Sequence, residues 1–573
     1  MVAVPAQVLL IASMRFTISI TKRVSLGKYA GIPLSSSLQS FNPHENLSLP
    51  FPPPSSLTLP SIHTIMERKS GFRLATGLLS AVAPKHATPV CYLVLPQPTR
   101  RAASTNPNSR RLHTTPLAAQ DAALTSSSSA VPPALSPTAL AHSGPPPPTT
   151  MPPALSCLPL SQVLRTYLIT SISSSPLLLR TSTTLLRSMR ESRTPLTSID
   201  RNPLLRSLLW HTFYRQFCAG ETPSQVARVN AELRAQGYSG VILEYALEVL
   251  KDAEGAEANE ERDVGVWRRR MLETVAMASP GDFVGLKWSG MGPAAMRRMK
   301  EDREPSAAME EAMHALCSAA RDRRTSLLPA AEETWSLSGF FNWTMKMQRV
   351  YNAAAKGGEC VVYSTYQAYL KQTPETISRH LALAQKEDFT LGLKLVRGAY
   401  LGSEERALIH PSIEATHAAY DGIMASLIRR EPNAVITTPS GSWPKVSAVL
   451  ATHNAVSVKF AQKLRQQQLS RGEPLTQLSF AQLQGMADEV SCTLIAAAKA
   501  AEQSAEEAAG NGKAVAVRER VYKCTTWGSM GECLNYLLRR AAENKDAAGR
   551  TQETRRAMSG EIGRRVRGVV GLA

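Results

Sequence analysis

Eight short apolar runs, most of them followed by an amphipathic helical stretch, constrain the fold of this 573-residue sequence more than any other feature. Strands that alternate with helices build a parallel sheet, because each parallel connection must cross the sheet and a helix makes that crossing. The predicted strands are 240–247, 283–290, 326–333, 360–367, 392–400, 446–454, 477–486 and 520–528. The helical stretches between them include 343–356, 374–386, 416–430 and 455–468.

Eight such units predict an α/β fold, a closed (β/α)8 barrel of the TIM type, over residues 236–573. A doubly wound open sheet is the competing fold, and we disfavour it because no G-x-G-x-x-G follows the first strand. Residues 500–518 are polar and small, which indicates an insertion before the last strand.

Residues 1–150 are predicted to be a disordered prefix. They are rich in Ser, Pro, Thr and Arg, and their proline clusters break helices. A segment that is Arg-rich, Ser-rich and poor in acidic residues is typical of an organellar transit peptide, and a cytoplasmic disordered tail is the alternative. The start of the protein is left open, with Met14, Met66 or Met151 as other candidates.

The formal net charge of +19 suggests a protein that binds nucleic acid, a protein that binds an anionic membrane surface, or a chain that carries a basic import signal. Only five acidic residues precede residue 201, so the excess begins in the prefix. We therefore expect an import signal and no nucleic-acid partner. The eight cysteines are scattered without a C-x-x-C pair, which favours reduced thiols over disulfides or a zinc site. No apolar run is long enough to span a membrane.

Residues 151–235 are predicted to be a helical lead-in to the barrel. Short leucine runs alternate with arginines there, as in LLLRTSTTLLRSMR at 177–190. A basic amphipathic arm for a membrane surface is the alternative interpretation.

A helix predicted over 527–545 follows the last strand. Its apolar positions fall on one face, whereas Tyr536, Arg539, Arg540 and Glu543 fall on the opposite face. Adjacent arginines suit a planar carboxylate. Taken alone, this pattern is equally typical of a helix whose charged face is exposed to solvent and forms salt bridges.

Polar residues at the carboxyl ends of the predicted strands should meet at one mouth of the barrel, where active sites of this fold lie. They form neither a metal-ligand cluster nor a Ser/His/Asp nucleophile pattern, and we predict no metal. Instead they suit a large anionic, aromatic cofactor and a small substrate with a carboxylate. They are Lys287, Glu332, Gln367, Arg397, Tyr400, His453, Asn454 and Gln482.

Several sequence blocks in this order resemble the proline dehydrogenase family, in particular its fungal mitochondrial branch. The resemblance begins near residues 201–222 and runs to the end of the barrel. The most specific blocks are STYQAYL (364–370), LKLVRGAYL (393–401), ATHN (451–454), FAQLQGMADEV (480–490) and YLLRRAAEN (536–544).

The resemblance implies a barrel that holds FAD, oxidises L-proline to 1-pyrroline-5-carboxylate and passes electrons to a membrane quinone. The location implied is the mitochondrion, on the matrix side of the inner membrane, with peripheral membrane association. The oligomeric state is left open.

The resemblance also assigns roles to residues at the mouth. Arg539 and Arg540 would bind the proline carboxylate, Tyr536 and Leu483 would contact its ring, and Lys287 would lie near its carboxylate and nitrogen. The implied catalytic residues are Lys287, Tyr400, Arg539 and Arg540. The implied cofactor-binding residues are Gln367, Lys394, Val396, Arg397, Gly398, Thr452 and His453, with Tyr400 closing the site beside the flavin.

Each of these residues also has an ordinary structural interpretation. Without the resemblance, Gln367 would equally well cap a loop, and His453 would be a satisfied core histidine. Lys394 would place its ammonium group at the barrel rim, and Tyr400 would fill space between a strand and a helix.

Two positions depart from the family pattern. Ala330 stands where many members have an aspartate beside the substrate lysine, and Glu332 is the candidate replacement because it is two residues further on. Cys524 stands where a tyrosine is usual. These departures leave open an altered pocket, reduced activity, or a flavin barrel that oxidises another cyclic amino acid such as hydroxyproline. The net charge and the disordered prefix leave open a different alternative, a non-enzymatic basic interaction protein.

Overall fold

The computed structural model of the chain describes residues 153–246, 259–437, 442–509, 517–543 and 548–571, without the side chains of 504–509, 542–543 and 548–550. The predicted prefix 1–150, its transit signal and the three alternative start positions lie outside the described residues.

Nine strands form one sheet in which every paired neighbour is parallel. They are β1 (Cys218–Gly220), β2 (Gly240–Tyr245), β3 (Phe283–Leu286), β4 (Ser326–Pro329), β5 (Ser364–Gln367), β6 (Leu391–Val396), β7 (Val446–Ala451), β8 (Gln477–Leu483) and β9 (Arg520–Trp527). The order is β4-β3-β2-β9-β8-β7-β6-β5, and β1 pairs with the end of β9.

An isolated parallel bridge between Leu327 and Val362 joins β4 to the segment before β5. The Leu327 N–H donates to the Val361 carbonyl at 2.7 Å, and the Tyr363 N–H donates to the Leu327 carbonyl at 2.9 Å. The eight strands β2–β9 are thereby nearly closed into a barrel, which confirms the predicted fold class.

Fifteen helices surround the barrel or cover its ends within the described part of the chain. They are α1 (Leu160–Ser173), α2 (Pro176–Glu191), α3 (Pro203–Leu209), α4 (Arg215–Phe217), α5 (Pro223–Gln236), α6 (Glu260–Met277), α7 (Pro293–Lys300), α8 (Ala307–Asp322), α9 (Leu337–Tyr351), α10 (Thr373–Glu387), α11 (Ile413–Arg429), α12 (Ala455–Ser470), α13 (Asp488–Ala509), α14 (Met530–Glu543) and α15 (Ala548–Val569). No helix in the described ranges is long and apolar enough to cross a membrane.

Apolar side chains fill the lower interior of the barrel. Phe283 contacts the rings of Tyr363 and Tyr522 edge to face, with centroids 5.5 and 4.9 Å apart, and Ile242 and Leu328 pack beside them. Because side chains of a strand alternate between its two faces, the residues two positions further on point to the next layer up. That layer is the mouth of the barrel.

Helices from both ends of the described chain cover this mouth. α1 packs along α15, and α2 packs on α14. The Arg565 guanidinium donates to the carbonyls of Leu155 and Leu158 at 3.1 and 2.8 Å, and Met558 is buried against Leu158. Residues 151–235 are thus largely helical where described, and the predicted domain boundaries stay predictions.

All eight predicted strands are present, but most end earlier than expected. Residues after Leu286 form a 3-10 turn, Trp288–Met291, because the Trp288 indole is buried and donates to the Thr344 hydroxyl at 3.0 Å. The predicted insertion at 500–518 was partly wrong, since α13 continues through Ala509. The sequence prediction also missed β1.

Candidate active site

Helix α14 is fixed over the mouth by contacts at its first turn. The Ser529 N–H and hydroxyl donate to the Glu532 carboxylate at 2.8 and 2.7 Å, which is a capping box. The Tyr245 hydroxyl donates to the same carboxylate at 2.8 Å, from the end of β2. The Tyr214 hydroxyl donates to the Gly528 carbonyl at 2.8 Å. These bonds set which face of α14 looks into the barrel.

That face carries Tyr536 and Arg540. The Arg540 Nε donates to the Tyr536 hydroxyl at 3.3 Å, and the guanidinium lies 5.3 Å from the centre of the Tyr536 ring. Arg540 lines both cavities described below, whereas Arg539 beside it is half-buried. The polar face of the helix is therefore turned toward the barrel, and Tyr536 is buried. The Glu543 side chain, predicted to hold the arginines, lies outside the described residues.

Lys287 and Glu332 form an ion pair at the ends of β3 and β4. The Lys287 Nζ donates to the Glu332 Oε1 at 3.0 Å. Burial opposes the charge of Lys287, but the Glu332 carboxylate and the nearby Tyr400 hydroxyl outweigh it and raise the pKa of Lys287. In many members of the family an aspartate at the position of residue 330 lies beside this lysine. Here residue 330 is alanine, and Glu332 is the carboxylate that pairs with Lys287.

A small cavity of about 60 Å³ lies beside this pair, and Ala330 and Arg540 both line it. The Glu244 carboxylate also lines it, and Gly285 on the neighbouring strand makes room for it. A Cβ atom at Gly285 would approach the Glu244 Cγ to 2.5 Å. Sequence reasoning missed Glu244, although the alternation in GVILEY places it two residues after the inward-facing Ile242.

Lys394 on β6 is buried, with 9 % of its surface exposed, and it has neither a hydrogen bond nor an ion pair with the described residues. Desolvation lowers the pKa of Lys394, while the Glu244 carboxylate partly opposes that effect. The charge of a largely buried lysine is costly unless an anion approaches it. This is the observation that best fits a bound anionic cofactor.

Gln367 and Arg397 hold the ends of neighbouring strands. The Gln367 Nε2 donates to the Glu332 carbonyl at 2.8 Å, which fixes the loop that carries Glu332. The Arg397 guanidinium donates to the hydroxyls of Thr452 and Ser457 at 2.6 and 2.8 Å. Both residues therefore position the mouth, and their predicted cofactor contacts stay predictions.

The backbone beyond β6 passes Val396 and Gly398 and reaches the half-buried Tyr400. Gly398 has φ +144°, and a Cβ atom there would come within 2.3 Å of the Tyr369 ring. Glycine is therefore required here by the close approach to Tyr369, and the predicted cofactor contact of Gly398 stays a prediction. The Tyr400 carbonyl accepts from the Glu404 N–H at 2.9 Å, which turns the chain back over the barrel.

His453 and Leu483 meet on the opposite wall. The Leu483 N–H donates to the His453 Nε2 at 3.1 Å, which places the proton of a neutral imidazole on Nδ1. The segment after Leu483 is held by Lys523, whose ammonium group donates to the Met486 carbonyl at 2.8 Å and forms an ion pair with the Asp488 carboxylate at 2.8 Å. Sequence reasoning missed this buried ion pair, because its two residues lie far apart in sequence.

A larger cavity of about 220 Å³ extends from this wall to the helices that cover the mouth. Leu483, Cys524, Tyr536 and Arg540 form its inner end, and its lining is mainly apolar. The outer end is lined by residues of α1, α2, α13 and α15 and by the phenylalanines that precede β1. They are Ile169, Thr170, Ser173, Leu179, Phe213, Phe217, Glu489, Thr551, Glu553 and Thr554.

Of the predicted site residues, five line the cavities at the mouth: Lys287, His453, Leu483, Tyr536 and Arg540. The roles assigned to all of the predicted site residues stay predictions. The mouth combines two cationic groups, Lys287 and Arg540, with an apolar wall of Leu483 and the Tyr536 ring. Burial raises the pKa of Tyr536 to about 12, so its phenol is neutral near pH 7. Such a site can bind a small carboxylate that has an apolar body.

Comparison with known proteins agrees with this chemistry. A probable proline dehydrogenase, mitochondrial, of Schizosaccharomyces pombe is 25 % identical over 424 residues, which cover 64 % of this chain and 81 % of that protein. Proline dehydrogenase 1, mitochondrial, of Arabidopsis thaliana is 26 % identical over 430 residues, 66 % of this chain and 78 % of its own length. A hydroxyproline dehydrogenase of Bos taurus is 32 % identical over 257 residues, 45 % of this chain and 50 % of that protein.

Among solved structures, proline utilization A from Bdellovibrio bacteriovorus aligns with a TM-score of 0.47 and 14 % identity, over 65 % of this chain and 37 % of that one. The family model described as Proline dehydrogenase matches residues 226–553. Because that match spans more than half of the sequence, the chain belongs to the proline dehydrogenase family and is an enzyme of that family.

Proposed function

We propose that the protein oxidises L-proline to 1-pyrroline-5-carboxylate with FAD as its cofactor and a membrane quinone as electron acceptor. The single observation that carries the proposal is the convergence of Arg540 and Lys287 with Tyr536 and Leu483 at the mouth of the barrel. These residues provide cations for a carboxylate and a wall for a five-membered ring.

In this proposal the cations bind the substrate carboxylate. Arg540 donates from α14, with Arg539 beside it, and Lys287 donates from the end of β3. Tyr536 and Leu483 contact the ring and hold it in one orientation, which matters because hydride transfer depends on positioning more than on a strong base. Tyr400 closes the site.

The bound FAD would accept a hydride from the substrate carbon next to the ring nitrogen. Lys394 is the proposed partner for an anionic part of the cofactor, because the residue is largely buried and desolvation lowers its pKa. Gln367, Thr452 and His453 are proposed to contact it from adjacent strands. The backbone and side chains of Val396, Arg397 and Gly398 would run along it.

The substrate nitrogen must lose its proton before the reaction. Lys287 does not serve as the acceptor at neutral pH, because the Glu332 carboxylate keeps its pKa raised. The positive charges of Lys287 and Arg540 instead disfavour a third cation nearby, so they favour the neutral amine of the bound substrate.

We further propose that the protein works in the mitochondrion, on the matrix side of the inner membrane and in peripheral contact with it. The relatives in fission yeast and Arabidopsis carry mitochondrial names. The acid-poor, Arg-rich and Ser-rich composition of residues 1–150 also suits a mitochondrial transit peptide.

The test is anaerobic addition of L-proline to the purified full chain while its absorbance is recorded. A yellow protein whose flavin bands bleach with L-proline, and bleach again after reoxidation by a quinone analogue, supports the proposal. D-proline is the matched control and should leave the bands unchanged. A protein without flavin bands would favour the alternative of a non-enzymatic basic interaction protein.

Hydroxyproline is the second candidate substrate. Ala330 and Cys524 are small, and each lines one of the cavities that meet at Arg540, which leaves room for an extra hydroxyl on the ring. The Cys524→Tyr variant fills part of this space. If hydroxyproline is the substrate, this variant should lose turnover of hydroxyproline and keep or gain turnover of proline, with flavin content unchanged.

A further inference from the structure

Two thiols meet where the turn Ala154–Cys157 packs against helix α13. We call this turn together with helix α1 the arm. Cys157 ends the 3-10 turn Ala154–Cys157, and Cys492 lies in the second turn of α13. Their Sγ atoms are 3.4 Å apart and hydrogen-bonded, although the residues are 335 positions apart in sequence. The two cysteines therefore meet only when the arm is docked.

The two thiols differ in accessibility. Cys157 is half-buried, whereas Cys492 is fully buried in a cluster with Leu158, Val163 and Met558. The Cys157 sulfur lies 3.2 Å from the Ala154 carbonyl oxygen and 3.4 Å from the Cys492 sulfur, so the Cys157 thiol can donate to either of them. An accessible sulfur with a second thiol behind it is the arrangement of an attacking and a resolving cysteine.

The ionisation of the pair supports the same roles. The hydrogen bond between the two thiols lowers the pKa of Cys157, and the same hydrogen bond together with burial raises the pKa of Cys492. Since the thiolate is the reactive species, Cys157 is the one that an oxidant reaches first.

We propose that Cys157 and Cys492 form a reversible disulfide that covalently ties the arm to α13 when the protein meets a hydroperoxide. The Cys157 thiolate attacks one oxygen of the peroxide and becomes a sulfenic acid, and the other oxygen leaves as hydroxide or alkoxide and takes up a proton. The Cys492 sulfur then displaces the sulfenic oxygen, which leaves as water. Two thiols are oxidised, the peroxide receives two electrons, and a reducing dithiol reverses the change.

The tie would act on the cover of the larger cavity. Three residues of α1, a few turns after Cys157, line that cavity, and so does Glu489 at the start of α13. The Thr554 hydroxyl of α15 donates to the Glu489 carboxylate at 3.0 Å, so α15 joins the same cover. A disulfide at Cys157 would therefore hold all three helices together.

The chain contains its own control for this proposal. Cys218 and Cys533 also interact with each other, but both are fully buried beside Tyr214. Burial raises the pKa of Cys218. If proximity of two thiols were sufficient, this pair would oxidise too. If access is also needed, it should stay reduced.

The test treats the full-length protein, in a Cys91→Ser background, with hydrogen peroxide and maps its peptides without reducing agent. We expect a linked peptide of Cys157 and Cys492, free thiols at Cys218 and Cys533, and reversal by dithiothreitol. The oxidised protein should unfold at a temperature a few degrees higher, because the cross-link closes a long loop in the unfolded chain.

Two single variants separate the roles of the thiols. Cys492→Ser should accumulate a sulfenic acid at Cys157 that a dimedone probe traps, and Cys157→Ser should leave Cys492 in the thiol form. The proposal is overturned if Cys157 of the parent protein goes to sulfinic acid without a link, or if Cys218 and Cys533 oxidise at the same rate. It is also overturned if the oxidised protein unfolds at the same temperature as the reduced one.

Discussion

Replacing Glu332 with glutamine removes the negative charge that lies 3.0 Å from the Lys287 ammonium group and changes little else. The side chain keeps its size, and the Glu332 carbonyl can still accept from Gln367. Without the carboxylate, the pKa of Lys287 should fall, because that carboxylate is a main cause of its raised value. The variant therefore isolates the electrostatic part of the site.

The magnitude follows from the distance and the exposure of the pair. Two unit charges at this distance attract by about 1.4 kcal/mol in water and about 5.5 kcal/mol at an effective dielectric constant of about 20. The side chains of Lys287 and Glu332 are 26 % and 22 % exposed, so water screens part of the attraction. We expect the charged form of Lys287 to lose about 2 kcal/mol of stabilisation, so that Lys287 releases its proton at a lower pH in the variant than in the parent protein.

The assay measures kcat/KM for L-proline between pH 6 and 10, with flavin content as a check on folding. For Glu332→Gln we expect kcat/KM close to the parent value at pH 7 and a loss at alkaline pH, where Lys287 gives up its proton in the variant but keeps it in the parent protein. Adding Ala330→Asp to this variant supplies a carboxylate from the position that is alanine here, and should recover most of the loss. Unchanged kinetics in Glu332→Gln at alkaline pH, or no recovery in the double variant, would refute the reasoning.

Three further outcomes are expected. Arg540→Met should raise the KM for proline with flavin content retained, at a cost of about 2–5 kcal/mol for the lost carboxylate contact; loss of flavin would instead show a structural role of α14. Asp488→Asn should lower the free energy of unfolding in urea by about 3–5 kcal/mol, because it leaves the Lys523 charge buried alone, with 1 % of its side chain exposed; a change below 1 kcal/mol would contradict this. Burial lowers the pKa of His380 to about 4 in the folded protein. Between pH 6.5 and 4 the imidazole therefore takes up a proton only in the unfolded chain. The free energy of unfolding falls by up to about 3 kcal/mol over this range as the pH is lowered. His380→Gln should reduce this acid sensitivity in urea titrations at pH 7 and pH 5, and equal sensitivity would argue against it.

The barrel could be predicted from the sequence because its strands are apolar on both faces and regularly spaced. Strand ends were less predictable, since Trp288 and its neighbours are as apolar as a strand yet bend into a 3-10 turn that buries an indole. α15 was missed because its sequence is polar and basic, and its burial depends on a partner helix about 400 positions earlier. Such a contact leaves no local pattern.

In the site, too, residues that belong to a local sequence pattern could be predicted, whereas residues whose role depends on contacts between distant segments could not. Arg540, Tyr536 and Lys287 could be found from periodicity and strand ends, and the structure brings them to one mouth. The pairing of Lys287 with Glu332 was expected from the absence of an aspartate at residue 330. Glu244 was missed, because a single carboxylate in an apolar strand is commonly taken as an edge residue and its surroundings come from four other segments.

The cover of the larger cavity joins segments 410 positions apart, as the bonds of Arg565 to Leu155 show. Segments that cover a binding site usually belong to the less stable parts of a protein and open more readily than its core strands. Amide protons of α1 and α15 should therefore exchange with solvent earlier than those of β2–β9. The enzyme can then admit and release what binds at its mouth by loosening these two helices while the strands below stay intact.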